Sequence, residues 1–364
     1  MTLSPETTTF YYFDNATLSE GWDGDIVAFA DALKDEFIAW REGRVILPEK
    51  SSQIIEPFSQ GRVNCMPATL LDAKVSGVKL VSVFPDNTSR GLPNVSGLIT
   101  ILSARDGMPL AVLDAGFVTA LRTALVGGVA ARCLAVESPR SIALLGSGEQ
   151  ARAHFLVFAS LFPSLGECRV ASRSEDGVRG FLESVGRIVE DMQFRNCGSD
   201  YRAAAEGADI IITAISGQEP LLRADWVHPG CFYCHVGGWE DEYAVALKSS
   251  KIVCDSWEAL KHRGSPTIAR MFNDGVLRDE DIYADLADIL SGVKAGRETP
   301  EEIVYFNSIG LAFTDIAVAL ELYRQCSAKG LGVPLLSRFV SPSGTASLKK
   351  HLALRRTGGL CHDS

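Results

Sequence analysis

The chain runs to 364 residues, with 45 Asp and Glu against 35 Lys and Arg and a formal net charge of −10. That length fits two domains flanking a cleft, with ample chain for a large core. So acidic a surface repels phosphate backbones and anionic lipid, which excludes nucleic acid and membrane as expected partners. No stretch reaches the ~18 to 20 uninterrupted apolar residues of a bilayer span, and Met1 to Phe10 lacks the basic-then-apolar order of a signal peptide, so a cytoplasmic protein is expected. Nine cysteines, an odd number spread from Cys65 to Cys361, are expected as free thiols.

In chain order, Ile26, Phe29, Leu33, Phe37 and Trp40 recur at helical steps and give Asp25 to Trp40 one apolar stripe. From residue 45 to 113 the text changes to short β-rich runs, Gly61 to Met66, Val75 to Phe84 and Val95 to Leu102, which predict a mixed sheet. Asp114 stands where it would cap the next helix. Phe117, Leu121, Leu125, Val129 and Leu134 give that helix a long buried face, and Gly127 and Gly128 permit close backbone approach, as in a helix bridging two domains. After Pro139 apolar strands alternate with helical segments: Ile142 to Leu145, Ala151 to Leu161, Cys168 to Ala171, Gly177 to Met192, Ile210 to Ala214, with further strands at Cys231 to Val236, Ile252 to Cys254 and Ile303 to Phe306. Such alternation predicts a parallel sheet covered by helices. Gly310 to Ala328 reads as an amphipathic helix carrying Phe313, Ile316, Ala317, Leu320 and Tyr323. The basic end, residues 346–364 with Lys349, Lys350, Arg355 and Arg356, has no apolar period and is expected to be a loose tail.

Ser141 to Ala151 is an apolar strand, a glycine turn and a helix start. Gly146 would allow the tight turn, Gly148 would let backbone approach a pyrophosphate, and Ala151 would let helix and strand pack closely. The free N–H groups and the helix dipole would then meet the anion, so a nicotinamide dinucleotide is the expected cofactor. An acid at the end of the next strand would hold an adenosine ribose, but Ala171-Ser172-Arg173-Ser174 stands there instead. Arg173 is able to pair with a 2′-phosphate, which tilts the expectation to NADP over NAD; the rival is a solvated Arg173 with Glu175 or Asp176 on the ribose.

The residues also resemble a known family. GSGEQA after an apolar strand, preceded by TALRTA at 119–124, is similar to the ornithine cyclodeaminase/mu-crystallin family, as are NCMPA (64–68), GVKLVSVFP (77–85), GMPLAVLDAGFVTALRTA (107–124), ADIIITAIS (208–216) and FNSIGLAFTD (306–315), in family order from about Asp25 to Leu336. The resemblance implies an α/β fold in which a Rossmann domain (131–307) is inserted into a mixed α+β substrate-binding and dimerisation domain (1–130 plus 308–345), with a homodimer as the assembly. It implies Lys79 and Arg122 as carboxylate-binding cations and Lys50 as a third, a point charge where many members carry Arg. Ile309 joins them at the substrate. Asn94, Arg122, Glu149, Gln150, Ser172, Thr213, Ser216, His235, Val236, Gly237 and Ser308 fall at positions that resemble cofactor contacts, beside Gly146, Gly148, Arg173 and Ser174. In Cys231-Phe-Tyr-Cys-His235-Val-Gly-Gly-Trp-Glu240, His235 replaces the usual Asn and Glu240 replaces a catalytic Asp, with Asp241 as its rival. Lys50 and Asp255-Ser-Trp257 are similar to the branch that oxidises a glutamate-linked diaminopropionate.

These residue types suit hydride transfer at a Cα–N bond. Cations that fix the carboxylate of an amino or imino acid orient its Cα–H, and a carboxylate beside the resulting iminium, assigned to Glu240, stabilises the cation and serves as general base. The expected protein is an amino acid dehydrogenase or imine reductase. A redox-neutral, ammonia-releasing cyclodeaminase and a non-catalytic NADP(H)-dependent binder of mu-crystallin type are the alternatives. Cys231-Phe-Tyr-Cys234-His235 also fits the written pattern for covalent haem, but residues three apart on a strand point to opposite faces, so neither haem nor metal is expected. His154 is expected as a packed residue.

Overall fold

The computed structural model describes residues 8–55, 61–186, 188–189, 191–215, 219–337 and 349. Ser216 and, residue 349 apart, the expected tail lie outside them.

Alternation of apolar and polar residues builds the first sheet from β1 (Thr8–Phe13), β2 (Val45–Ile46), β3 (Ser51–Ile55), β4 (Gly61–Leu70), β5 (Val75–Val83), β6 (Val95–Ser103) and β7 (Pro109–Asp114). The second sheet holds β8 (Ser141–Leu145), β9 (Glu167–Ala171), β10 (Gln193–Asn196), β11 (Ile210–Thr213), β12 (Phe232–His235), β13 (Lys251–Cys254), β14 (Ala284–Asp285) and β15 (Val304–Asn307), and β16 (Val333–Ser337) returns to the first. The first sheet runs β16-β1-β7-β6-β5-β4-β2, with β3 also on β4; β1 and β7 are parallel and the other pairs antiparallel. The second runs β10-β9-β8-β11-β12-β15-β13-β14 and is wholly parallel. Several of its strands are buried along their whole length, which explains their unbroken apolar text.

On the first sheet Met66, Ala68 and Leu70 of β4 and Val75, Lys79 and Val81 of β5 share the buried inner face. The return helix Ala312–Ala328 covers it, with Phe313 edge-on to Phe37 of the helix Ile26–Arg41. The bridging helix Ala115–Leu134 lies between the sheets, where a Cβ on Gly128 would come within 2.6 Å of Leu161. By length and composition it is apolar enough to cross a bilayer, yet 78% of its apolar window is buried inside the protein. Asp114 occupies the position before this helix but does not cap it. Its carboxylate takes the Tyr12 hydroxyl at 2.9 Å and the Asn15 N–H at 3.3 Å, and Asn15 Oδ1 receives the Phe117 N–H instead.

Sequence and structure differ at the edges of the sheets. β1 and β16 pair Thr8 with Ser337 across almost the whole chain, a contact no local pattern announces. The helix expected over Gly177 to Met192 is Glu175–Val185, stops at Gly186 and gives way to the edge strand β10. Cys231 and Cys234 belong to cores on opposite sides of the parallel sheet.

Candidate active site

Strand order reverses between β8 and β11, and ligands of such sheets bind outside the carboxyl ends of the strands at the point of reversal. β8 ends at Gly146, which adopts φ 124° and carries no Cβ to collide with the Ala214 carbonyl. Gly148 precedes the helix Glu149–Leu161 with open space where a Cβ would stand and no side chain capping the helix, and the N–H groups of such a first turn suit an anion such as a pyrophosphate. At the next strand end Ser172 accepts the Ser147 hydroxyl at 2.9 Å. Ser174 is committed to capping Glu175–Val185, taking the Gly177 N–H at 3.1 Å, while Arg173 is exposed and has no carboxylate partner among the described residues. Gln150 keeps a buried Oε1 without a donor among the described residues. Asn94 stands before β6, its carbonyl accepting the Phe84 N–H.

Lys79 of β5, Arg122 of the bridging helix and Asp315 of the return helix converge on one buried oxygen. Lys79 Nζ lies 2.6 Å and Arg122 Nε 2.9 Å from Asp315 Oδ1. Asp315 Oδ2 is buried with no donor among the described residues. Burial pulls the Lys79 ammonium down to about 8; Asp315 opposes that shift and Arg122 adds to it. Burial likewise brings Lys50 to about 8, helped by the positive charges of Arg263, Arg62, Lys79 and Arg122. Arg122 is seated by the turn after β15. There Asp255 accepts the Ser308 hydroxyl at 2.9 Å and the Ile309 and Gly310 N–H groups at 2.9 and 2.7 Å, and the guanidinium occupies the place of a Gly310 Cβ. Sequence reasoning passed over Asp315, although FNSIGLAFTD ends on it; a lone acid in a helix's first turn gives no local sign of distant cations.

Glu240 was expected beside these cations, and it forms no ion pair with either. Its side chain folds back onto its own loop at the ends of β11 and β12. Oε1 accepts the Ile215 N–H at 2.8 Å; Oε2 accepts the Thr213 hydroxyl at 2.6 Å, the Gly237 N–H at 2.9 Å and the Val236 N–H at 3.3 Å. The physical reason is the longer side chain, whose extra methylene lets one carboxylate bridge two strand ends. His235 and Asp241 are buried behind it. Asp241 accepts the Thr267 hydroxyl at 2.7 Å and the Tyr305 hydroxyl at 3.1 Å, with His235 Nε2 3.5 Å away, and burial raises its carboxyl to about 6.

A wholly parallel sheet and a mixed sheet, with the buried Lys79–Arg122–Asp315 cluster joining elements of both, define a Rossmann-like α/β protein. The chain belongs to the ornithine cyclodeaminase/mu-crystallin family, whose model matches residues 22–330. It is 32% identical to the alanine dehydrogenase of Archaeoglobus fulgidus, over 83% of this chain and 91% of that protein. The structure of Thermococcus litoralis Δ1-pyrroline-2-carboxylate reductase with NADH and L-proline superposes with a TM-score of 0.83 at 28% identity, covering 89% of this chain and 99% of that one. An archaeal alanine dehydrogenase dimer with bound NAD gives 0.82 at 28% identity, covering 90% and 99%.

Proposed function

We propose that the chain is a nicotinamide-dependent oxidoreductase acting at the Cα–N bond of an amino or imino acid, as a dehydrogenase or imine reductase. The observation that carries this reading is the buried Lys79–Asp315–Arg122 cluster, whose Arg122 packs on the turn at the carboxyl end of β15. When bound, the nicotinamide accepts or supplies hydride at the substrate Cα. Arg122 and Lys79, with Lys50, hold the substrate carboxylate and so fix which face of Cα meets the ring. Asp315 offsets part of their charge and keeps both cations in place when no substrate is bound. Lys79, with its ammonium near 8, also exchanges a proton with the substrate nitrogen, which must be protonated as an imine to accept hydride. Gly146, Gly148 and the first turn of Glu149–Leu161 hold the pyrophosphate, flanked by Ser172, Thr213, Val236, Gly237 and Ser308. The relatives named above are oxidoreductases of small amino or imino acids, which supports the same reading. The test is incubation with NAD or NADP and an amino-acid panel, following reduced-nicotinamide absorbance and product mass. Net accumulation of reduced cofactor with an oxo acid or imine is expected; ammonia release without net reduction would make the protein a cyclodeaminase.

Arg173 supports a preference for NADP. Arg173→Ala is expected to raise the KM for NADPH about 10-fold or more and that for NADH less than about 2-fold, because a charge-assisted contact to a 2′-phosphate is lost. Equal changes for both cofactors remove Arg173 from the adenosine site.

The lysines give the site a pH signature. An amine held near 8 loses its charge as pH rises through that value, and an arriving carboxylate raises it again. Carboxylate binding at about pH 8 is therefore expected to take up protons, read as a calorimetric enthalpy that varies with the ionisation enthalpy of the buffer. An enthalpy identical in all buffers contradicts the assignment.

Leu80 and Leu98 are directly paired on the outward face of the first sheet and are 47% and 44% exposed, which supports a homodimer formed through that face.

A further inference from the structure

The parallel sheet carries a polar network that the proposed reaction does not use. Strand register sets Thr213 beside His235 and Tyr233 beside Tyr305, and alternate residues of a strand share a face. All four side chains therefore emerge on one face near the carboxyl ends of β11, β12 and β15. Glu240 and Asp241, in the loop after β12, turn back onto that face, and the helix Thr267–Asn273 brings Thr267 to it. Every one of these side chains is fully buried.

Four of them form a chain with three links. Glu240 Oε2 lies 2.6 Å from the Thr213 hydroxyl, that hydroxyl 2.9 Å from the Tyr233 hydroxyl, and the Tyr233 hydroxyl 3.2 Å from Asp241 Oδ1. Each link needs one hydrogen between its two oxygens. Thr213 and Tyr233 bring one apiece, and burial holds the Tyr233 phenol well above its ordinary value, so two hydroxyl hydrogens serve three links. With both carboxylates ionised, one pair of buried oxygens would stand lone pair to lone pair. His235 does not fill that gap. Its Nε2 is 3.5 Å from Asp241 and 3.8 Å from Glu240, and its Nδ1 is buried with no partner among the described residues. Arg270, on the covering helix, lies over the Trp239 ring and ion-pairs with neither acid. The missing hydrogen is therefore a proton on one of the two carboxyls. Glu240 takes N–H groups from Ile215, Val236 and Gly237, which favour an anion there. Asp241 meets only the hydroxyls of Thr267, Tyr305 and Tyr233, and its Oδ2 has no donor among the described residues. Burial raises the Asp241 carboxyl to about 6, in the same sense.

We propose that Asp241 is a positioning residue that works as a neutral acid: it donates to Tyr233, Tyr233 to Thr213 and Thr213 to Glu240. That unbroken chain holds the Glu240 carboxylate on the N–H groups of Ile215, Val236 and Gly237. The inference rests on the oxidoreductase reading in taking Val236 and Gly237 as cofactor contacts, while the shared proton belongs to the protein alone. The proton is held below about 6 and leaves as pH rises through that value, so the loop is held best on the acid side.

Infrared difference spectra of the full chain without cofactor, taken between about pH 5 and about pH 8, read the proton directly. A carboxylic-acid carbonyl band that fades as pH rises is expected, missing in Asp241→Asn and displaced in Tyr233→Phe, where the acid loses its acceptor. Spectra that Asp241→Asn leaves unchanged overturn the proposal. Cofactor affinity gives the second readout. Asp241→Leu and Tyr233→Phe break the chain at different links, and each is expected to raise the Kd for reduced cofactor about 10-fold at about pH 5. Asp241→Asn offers an NH2 to Tyr233 in place of the acid proton, so it is expected to stay within about 2-fold of the parent and to lose the parent's weakening at higher pH. Asparagine that weakens binding as much as leucine also overturns the proposal, because an ionised Asp241 is then what the loop needs. A protein that shows the band but binds neither NADH nor NADPH keeps its neutral acid and loses the oxidoreductase reading instead.

Discussion

Lys79→Met is expected to lower kcat/KM by about 1,000-fold while the affinity for reduced cofactor changes less than about 2-fold. Loss of one charge-assisted contact to the substrate carboxylate accounts for about 10- to 100-fold, and the misplacement of Cα–H that follows accounts for the rest. Methionine is the useful replacement because it keeps an unbranched apolar stem as long as that of lysine and lacks the ammonium. Asp315 Oδ1 still receives Arg122 Nε at 2.9 Å, and a lysine that burial already disfavours as a cation is no longer desolvated. The fold is therefore expected to hold, with a melting temperature within about 5 °C of the parent. The loss should divide between KM and kcat, since the same group anchors the carboxylate and exchanges the proton. Turnover within about 5-fold of the parent, in a variant that still binds cofactor, would take Lys79 out of the chemistry.

How much of this site the sequence discloses follows the distance over which its parts act. The dinucleotide loop is local: strand, Gly146, Gly148 and helix fall within eleven residues, and each residue's role follows from its immediate neighbours. The mixed sheet is legible for a similar reason, since alternation along β4, β5 and β6 reports which face is buried. Asp315 and Asp255 are not legible that way. Asp315 acts on Lys79 and Arg122 from 236 and 193 residues away, and Asp255 builds the Ser308–Gly310 turn from more than fifty. Resemblance to a family supplies Lys79 and Arg122 but not the acid that holds them together. Glu240 is a third kind of case. Sequence singles out Glu240 but not its hydrogen bonding, in which the carboxylate reaches backbone N–H groups on its own turn.

Glu240→Gln separates the two ways in which that residue could matter. Four donors converge on its carboxylate, from Thr213, Ile215, Val236 and Gly237, and an amide offers them one acceptor oxygen. If that oxygen faces Thr213, Val236 and Gly237, the amide NH2 confronts the Ile215 N–H; if it faces Ile215, the two glycine-turn N–H groups lose their acceptor. Either arrangement strands buried donors, at about 1–3 kcal/mol each, and the loop must shift to relieve them. Because that loop stands at the carboxyl ends of β11 and β12, where the cofactor is proposed to bind, kcat is expected to fall about 100-fold and the cofactor Kd to rise several-fold, with the pH dependence near 8 set by Lys79 unchanged. Glu240→Asp, one methylene shorter, reaches one group of donors but not both, and is expected to lose nearly as much. A variant pair in which cofactor affinity holds, Asp restores turnover and Gln erases a limb of the pH–rate profile would instead make Glu240 the proton-transferring group, and the folded-back carboxylate a resting arrangement that the substrate displaces.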